Sequence, residues 1–278
     1  MQRIFGSLRL REAFSSLQVF STSQAESQPA QNPLTPAVGC VASLNSVKGN
    51  TLLEKKLNGY KGILSPQQIA EGINAAKKNA YRLAKDAEFM FDDGRYPSAV
   101  SLAILSIEES GKVSILRGLS LARDEKDIAE CWRDYRSHIK KNISWILPEL
   151  AAKGARSLED LRLIVDETSD HPYLLDQIKQ ISFYTDCLGK AYWSIPEDVI
   201  DESLAKTLVQ TAEIFSNNKN EISVLEIELW IKHMKPVWKT SMSAMKAALI
   251  NWSKDMKENG LSTKEDNSME KFLTTRLT

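Results

Sequence analysis

The sequence has no excess charge of either sign: 36 Lys and Arg stand against 36 Asp and Glu in 278 residues. That balance excludes a protein that coats nucleic acid through its overall charge, and it leaves room for a local basic site. Cysteine is scarce. Cys40, Cys131 and Cys187 stand far apart and in no C-x-x-C pattern, which argues against a disulfide framework or a structural zinc site and fits a reducing compartment. Long apolar runs are missing too. The longest, Tyr96 to Ile107, spans about 12 residues and meets Glu108 and Glu109 at once, well short of the roughly 20 that cross a bilayer. Membrane association is therefore not expected, and the cytoplasm is the default location. Only three histidines occur, His138, His171 and His233, and none has H-E-x-x-H spacing, so no metal and no cofactor is expected. Gly111-Lys112 lacks the G-x-x-x-x-G-K-[ST] spacing and the preceding strand of a phosphate loop.

What is present is helical pattern. The hydrophobic fraction of 42% suffices for a sizeable core. Ser65 can cap, Pro66 fits the first turn and Gln68 completes a capping box. Ile69, Ile73, Ala76, Ala80, Leu83, Ala87 and Met90 then follow at spacings of three and four, which builds one apolar face until Gly94. Tyr96 and Pro97 restart the chain after a tight connection, so an antiparallel hairpin is expected. The next helix is expected from Asp124 through IAECWRDYRSHIKKNISWILPEL, with Pro148 near its end. Later helices are expected over YLLDQIKQISFYTDCLGKAYW, from Pro196 through VIDESLAKTLVQTAEIFSN, and over ISVLEIELWIKHMK and VWKTSMSAMKAALINWSKDMKENG. In the last of these Trp238, Met242, Met245, Leu249, Trp252 and Met256 form a stripe suited to core packing. No repeat and no strand-rich segment is expected.

The chain thus divides into a disordered or leader segment (1–40), a linker or accessory segment (41–64), a helical domain (65–215), a C-terminal helical extension (216–260) and a flexible tail (261–278). The first 25 residues carry three arginines, many serines and one acid, Glu12. They read either as an organellar targeting peptide in a eukaryote or as a disordered tail or misplaced start.

The sharpest local feature is CWRDYRSHIKKN, residues 131–142. On one continuous helix Asp134 and His138 face together, so Asp134 is expected to fix the imidazole tautomer. Arg133 and His138 differ in direction by about 140°, and the long arginine can still reach a shared cleft edge. Such residues suit phosphodiester chemistry without a metal. A neutral imidazole takes the ribose 2′-hydroxyl proton and a guanidinium neutralises the charge on the phosphate oxygens. Arg136, Lys140 and Lys141 would add affinity for an RNA backbone. A solvated helix face is the plainer reading of the same residues. Glu108, Glu109 and Lys112 interrupt an otherwise apolar helix, and buried carboxylates are costly without partners; they are expected to support the Arg133 helix or to form a surface ion pair.

Three ordered stretches carry a resemblance: NAAKKNAYRLAKDAEFMFDDGRYPSAVSLAILSIEESGK (74–112), CWRDYRSHIKK, and KQISFYTDCLGKAYWSIP (179–196). Together they resemble the AbiV branch of the HEPN superfamily, associated with abortive infection in bacteria, over about residues 65–215. The resemblance implies an all-α, HEPN-like helical bundle and a homodimer that brings two Arg-x4-His helices together. It also implies a metal-independent endoribonuclease or toxin, with RNA as substrate and a phage or host protein as regulator. Arg133, Asp134 and His138 match the family's arginine, polar residue and histidine; Glu109 and Lys112 match the polar end of the preceding helix. The alternative of the same fold is a non-catalytic module that binds RNA or protein.

Overall fold

The computed structural model describes residues 59–166, 168–217, 220–262 and 268–274. The expected leader and most of the expected linker lie outside them. The first helix, α1 (Pro66–Asp92), begins with the anticipated capping box: Ser65 Oγ accepts from Gln68 N while Gln68 Oε1 accepts from Ser65 N. After the Asp93–Arg95 turn, α2 (Tyr96–Ser120) returns along α1. It is apolar nearly all round, because it is the central helix: α1 and α9 (Glu202–Ser216), α3 (Glu125–Arg136), α4 (His138–Lys141) and α7 (His171–Phe183) all pack on it. Ala99, Val100, Ala103 and Ile104 are fully buried there, and burying one such Val or Ile side chain contributes about 1.5–3 kcal/mol.

Three expected helices are interrupted. The one from Asp124 stops at Arg136, and after α4 the chain turns before a separate α5 (Leu147–Ala152), in which Pro148 occupies the first turn. Proline is accommodated there because its missing N–H is unpaired at a helix start anyway; Pro148 therefore starts a helix rather than ending one. A 3-10 turn (Glu159–Leu161) and the single-turn α6 (Arg162–Val165) follow. α7 ends at Phe183, ten residues short of the expectation, and the chain forms a hairpin of β1 (Asp186–Leu188) and β2 (Tyr192–Ser194) with Cys187 opposite Trp193. The turn has left-handed backbone at Gly189 and Ala191, which a continuing helix cannot accommodate. Finally α8 (Pro196–Val199) is cut from α9 at Ile200, and Asp201 caps α9 by accepting from Leu204 N.

The C-terminal part consists of α10 (Val224–Met234), a 3-10 turn (Lys235–Val237), α11 (Met242–Glu258) and α12 (Ser268–Thr274). The Trp and Met stripe packs as core: Trp238, Met245, Leu249, Trp252 and Met256 are buried against Trp230, Phe272 and Leu273, while Met242 is exposed. Where a flexible tail is expected, α12 docks, with Phe272 O accepting from Leu158 N. Arg117 of α2 pairs with Glu226 of α10 in the interior, which ties this unit to the central helix. Among the described residues no helix is long and apolar enough to cross a membrane.

Candidate active site

Glu108, on the central helix, is 2% exposed. A lone ionised carboxylate at that depth costs several kcal/mol, and three cationic or polar groups compensate it. Lys179 of α7 donates to Oε1 at 2.7 Å, Lys141 of α4 lies 3.3 Å from Oε2, and Nδ1 of His138 meets Oε2 at 2.7 Å. Burial alone would raise the Glu108 pKa; the hydrogen bonds from Lys179 and His138 and the charge of Lys141 outweigh it, and the net shift is downward. Glu108 is accordingly a carboxylate at neutral pH.

Two features of the sequence deliver His138 to this carboxylate. Ser137 is extended and ends α3, donating its N–H to Arg133 O and Asp134 O, while its Oγ accepts from Lys140 N and starts α4. Gly111, one turn along α2 from Glu108, lets α4 settle on the central helix: a Cβ there would lie 2.1 Å from the Lys141 carbonyl oxygen. No other residue fits beneath that backbone.

The chemistry follows from which nitrogen is occupied. A carboxylate only accepts, so Nδ1 is the nitrogen that donates to Glu108, and Nε2 is the one turned away from it. The imidazole is 53% exposed, and Nε2 has no hydrogen-bond partner among the described residues. The result is an oriented, solvent-facing imidazole on a buried anionic support. Glu108, His138 and Asp176 also bring ligand atoms within 4.8 Å of one another, the spacing of a possible metal group. Two of the three are already bridged by an ammonium: Lys179 Nζ lies 2.7 Å from both Glu108 Oε1 and Asp176 Oδ1. A divalent ion would have to displace Lys179 from two carboxylates and sit beside Lys141, so the donor set fits an internal cation better than a metal.

The remaining candidates are placed as follows. Asp134 does not orient His138; the break at Ser137 removes the shared helix face, and Glu108 takes that part. Asp134 is itself buried, which pushes its pKa up. Arg133 is 71% exposed, with Glu130 3.8 Å away. Glu109 and Lys112 pair with each other at 2.5 Å, and Lys112 lies over the Tyr135 ring, so neither pairs with Arg133. Lys141 is buried on Glu108 and does not project toward solvent. Arg136 donates to Trp132 O and Tyr60 O and lies over the Trp132 ring. Lys140 lies close enough to Asp134 for its charge to act on that carboxyl. His171 is structural, with Nε2 on Ile143 O and Nδ1 on Ser169. The residues that reading the sequence missed are Lys179 and Asp176. Their signal is a charged pair at i, i+3 in a helix whose neighbours Leu175, Ile178 and Ile181 are core.

The family model HEPN_AbiV, described as AbiV, matches residues 68–217, more than half of the chain. No curated protein and no solved structure matches it. The chain belongs to the HEPN_AbiV family.

Proposed function

We propose that this HEPN_AbiV protein is a metal-independent endoribonuclease acting in an abortive-infection response, with His138 as its proton-transfer residue. The observation that carries the reading is the His138–Glu108 pair: a half-exposed imidazole whose Nδ1 is held by a buried carboxylate that two lysines keep ionised. Packing alone gives no reason to bury Glu108, Lys141 and Lys179 together beneath an exposed histidine, since apolar residues of similar volume are often at least as stabilising. In the reaction, His138 Nε2 takes the proton of a ribose 2′-hydroxyl. The 2′-oxygen bonds to phosphorus, the bond from phosphorus to the 5′-oxygen breaks, and a 2′,3′-cyclic phosphate remains. The proton taken up at His138 is matched by one delivered to the leaving 5′-oxygen, a part that the second His138 side chain of a homodimer fills. Arg133 neutralises the charge on the nonbridging oxygens and Lys140 adds backbone affinity.

The test is cleavage of end-labelled structured RNA in EDTA by the protein and by His138→Ala. Cleavage that survives EDTA, leaves a cyclic phosphate and vanishes in the variant supports the assignment; undiminished cleavage by His138→Ala removes it. A second reading, a non-catalytic binding module, draws on the exposed apolar surface of the hairpin, where Tyr192 and Trp193 are 73% and 68% exposed. RNA or protein binding without cleavage under any activating condition selects it.

A further inference from the structure

Beside α3 runs a cleft of about 830 Å³ that shares Arg133 with the preceding chemistry and is otherwise outside it. One wall is α3, with Ile128, Trp132, Arg133 and Arg136; the other is the Tyr60–Ile63 segment. That segment is fastened down. Trp132 Nε1 donates to Gly62 O at 2.9 Å, Arg136 Nη2 donates to Tyr60 O at 2.6 Å, and the Tyr60 hydroxyl donates to Ile63 O at 2.9 Å. Gly59 allows the close approach, since a Cβ there would meet Arg136 Nη2 at 2.7 Å.

Two properties of the lining restrict the ligand. Its ionic groups are Lys61, Arg133 and Arg136 against the single acid Glu125, so it favours an anion. Arg136 is already engaged with two carbonyls, whereas the Arg133 guanidinium faces solvent and is held only by a distant Glu130. The second property is aromatic. Tyr60 is 57% exposed and stands edge-on to Trp132 with centroids 5.9 Å apart, which fixes the ring while leaving it open to stacking. A cationic cleft with an available aromatic ring takes a base and its phosphate, and its volume lies within the range of small-molecule sites.

We propose that this cleft is a nucleotide subsite for single-stranded RNA, with a base stacked on Tyr60 and the adjoining phosphate gripped by Arg133 and Lys61. The assignment rests on the reading of His138 as an RNA-processing residue and deepens it. Arg133 is in the last turn of α3 and His138 begins α4 after the one-residue break at Ser137, so a strand held in the cleft is presented along the same chain segment that carries the imidazole. The subsite selects unpaired RNA, because a base within a duplex cannot leave its stack to reach Tyr60 without an unstacking cost.

The experiment measures fluorescence anisotropy of a labelled 10-nucleotide single-stranded RNA on the full-length protein carrying His138→Ala, to which Tyr60→Ala, Tyr60→Phe or Lys61→Ala is added. Loss of one stacked base weakens binding about 5- to 150-fold, so Tyr60→Ala is expected to fall in that range. Tyr60→Phe keeps the ring and is expected to bind within about 2-fold of its parent. Lys61→Ala is expected to bind more weakly and to reduce the salt dependence, and the same sequence as a duplex is expected not to compete. Unchanged affinity in both Tyr60→Ala and Lys61→Ala, or no RNA binding at all, overturns the subsite. Cleavage lost in His138→Ala together with unaffected cleft variants removes the subsite and leaves the ribonuclease reading standing. Binding lost in Tyr60→Ala while His138→Ala still cleaves does the reverse.

Discussion

Replacing Gly111 by alanine sets a helix-propensity gain against a steric collision at the candidate site. Alanine in a helix interior is favoured over glycine by about 1 kcal/mol. Against this, the new Cβ would sit 2.1 Å from the Lys141 carbonyl oxygen, and real Cβ contacts essentially never fall below 3.0 Å. The difference between 3.0 and 2.1 Å requires α4 to retreat by at least about 0.9 Å, and the obstacle is backbone, which no rotamer relieves. Overpacking of this kind costs about 1–3 kcal/mol, so the net effect is destabilising by up to about 2 kcal/mol. His138 travels with α4. Its 2.7 Å contact with Glu108 would lengthen past hydrogen-bonding distance, and a misplacement near 1 Å lowers a rate about 100-fold. Gly118→Ala is the control: it lies on the same helix with nothing within 4 Å of the new Cβ, and it should gain about 0.5–1 kcal/mol. Urea midpoints of both variants, with imidazole NMR reporting the His138 Nδ1 proton, give the comparison. If Gly111→Ala is as stable as Gly118→Ala and keeps the Nδ1 signal, the account of how α4 is seated is wrong.

Two further outcomes follow from the charges. Glu108→Gln leaves Lys141 and Lys179 buried without their shared anion and should cost about 3–5 kcal/mol in urea unfolding. Because the folded Glu108 pKa lies below its usual 4.5, the advantage of the parent over this variant should be constant above pH 4.5 and shrink as the pH falls through the folded value; a variant equal to the parent at pH 7 refutes the argument. Burial, reinforced by Asp134, pushes the Cys131 thiol up to about 12, so at pH 8 iodoacetamide should modify exposed Cys187 well before Cys131, with urea abolishing the difference. Peptide mapping that finds equal native rates would contradict it.

The sequence was most legible where one local rule acts alone. The Ser65 cap and the apolar face of α1 are sufficient to define that helix, and the Asp124 cap defines the start of α3. It was least legible where tertiary contacts decide. Nothing in SHIKKN forbids helix, so the break at Ser137 is visible only once α4 is seen resting on Gly111. Leu188, Tyr192 and Trp193 suit a helix or a strand, and the backbone at Gly189 and Ala191 decides for the hairpin. At the site, Arg133, His138 and Glu108 could be singled out from the sequence, yet the partner of His138 could not. Asp134 is the nearest acid along the chain, whereas Glu108 reaches the imidazole from another helix, 30 positions away in sequence, and Lys179 in turn supports Glu108 from a third.

The extended residue at Ser137 also changes what the spacing between Arg133 and His138 means. In an unbroken helix each inserted residue would turn the imidazole by about 100° and carry it off Glu108. Here the histidine takes its position from the serine that starts its own turn and from the glycine beneath it. A residue added between Arg133 and Arg136 would turn the arginine on α3, while the imidazole would keep the seat that Ser137 and Gly111 give it. What fixes the imidazole is therefore the serine before it and the width available at Gly111, and not its interval from the arginine.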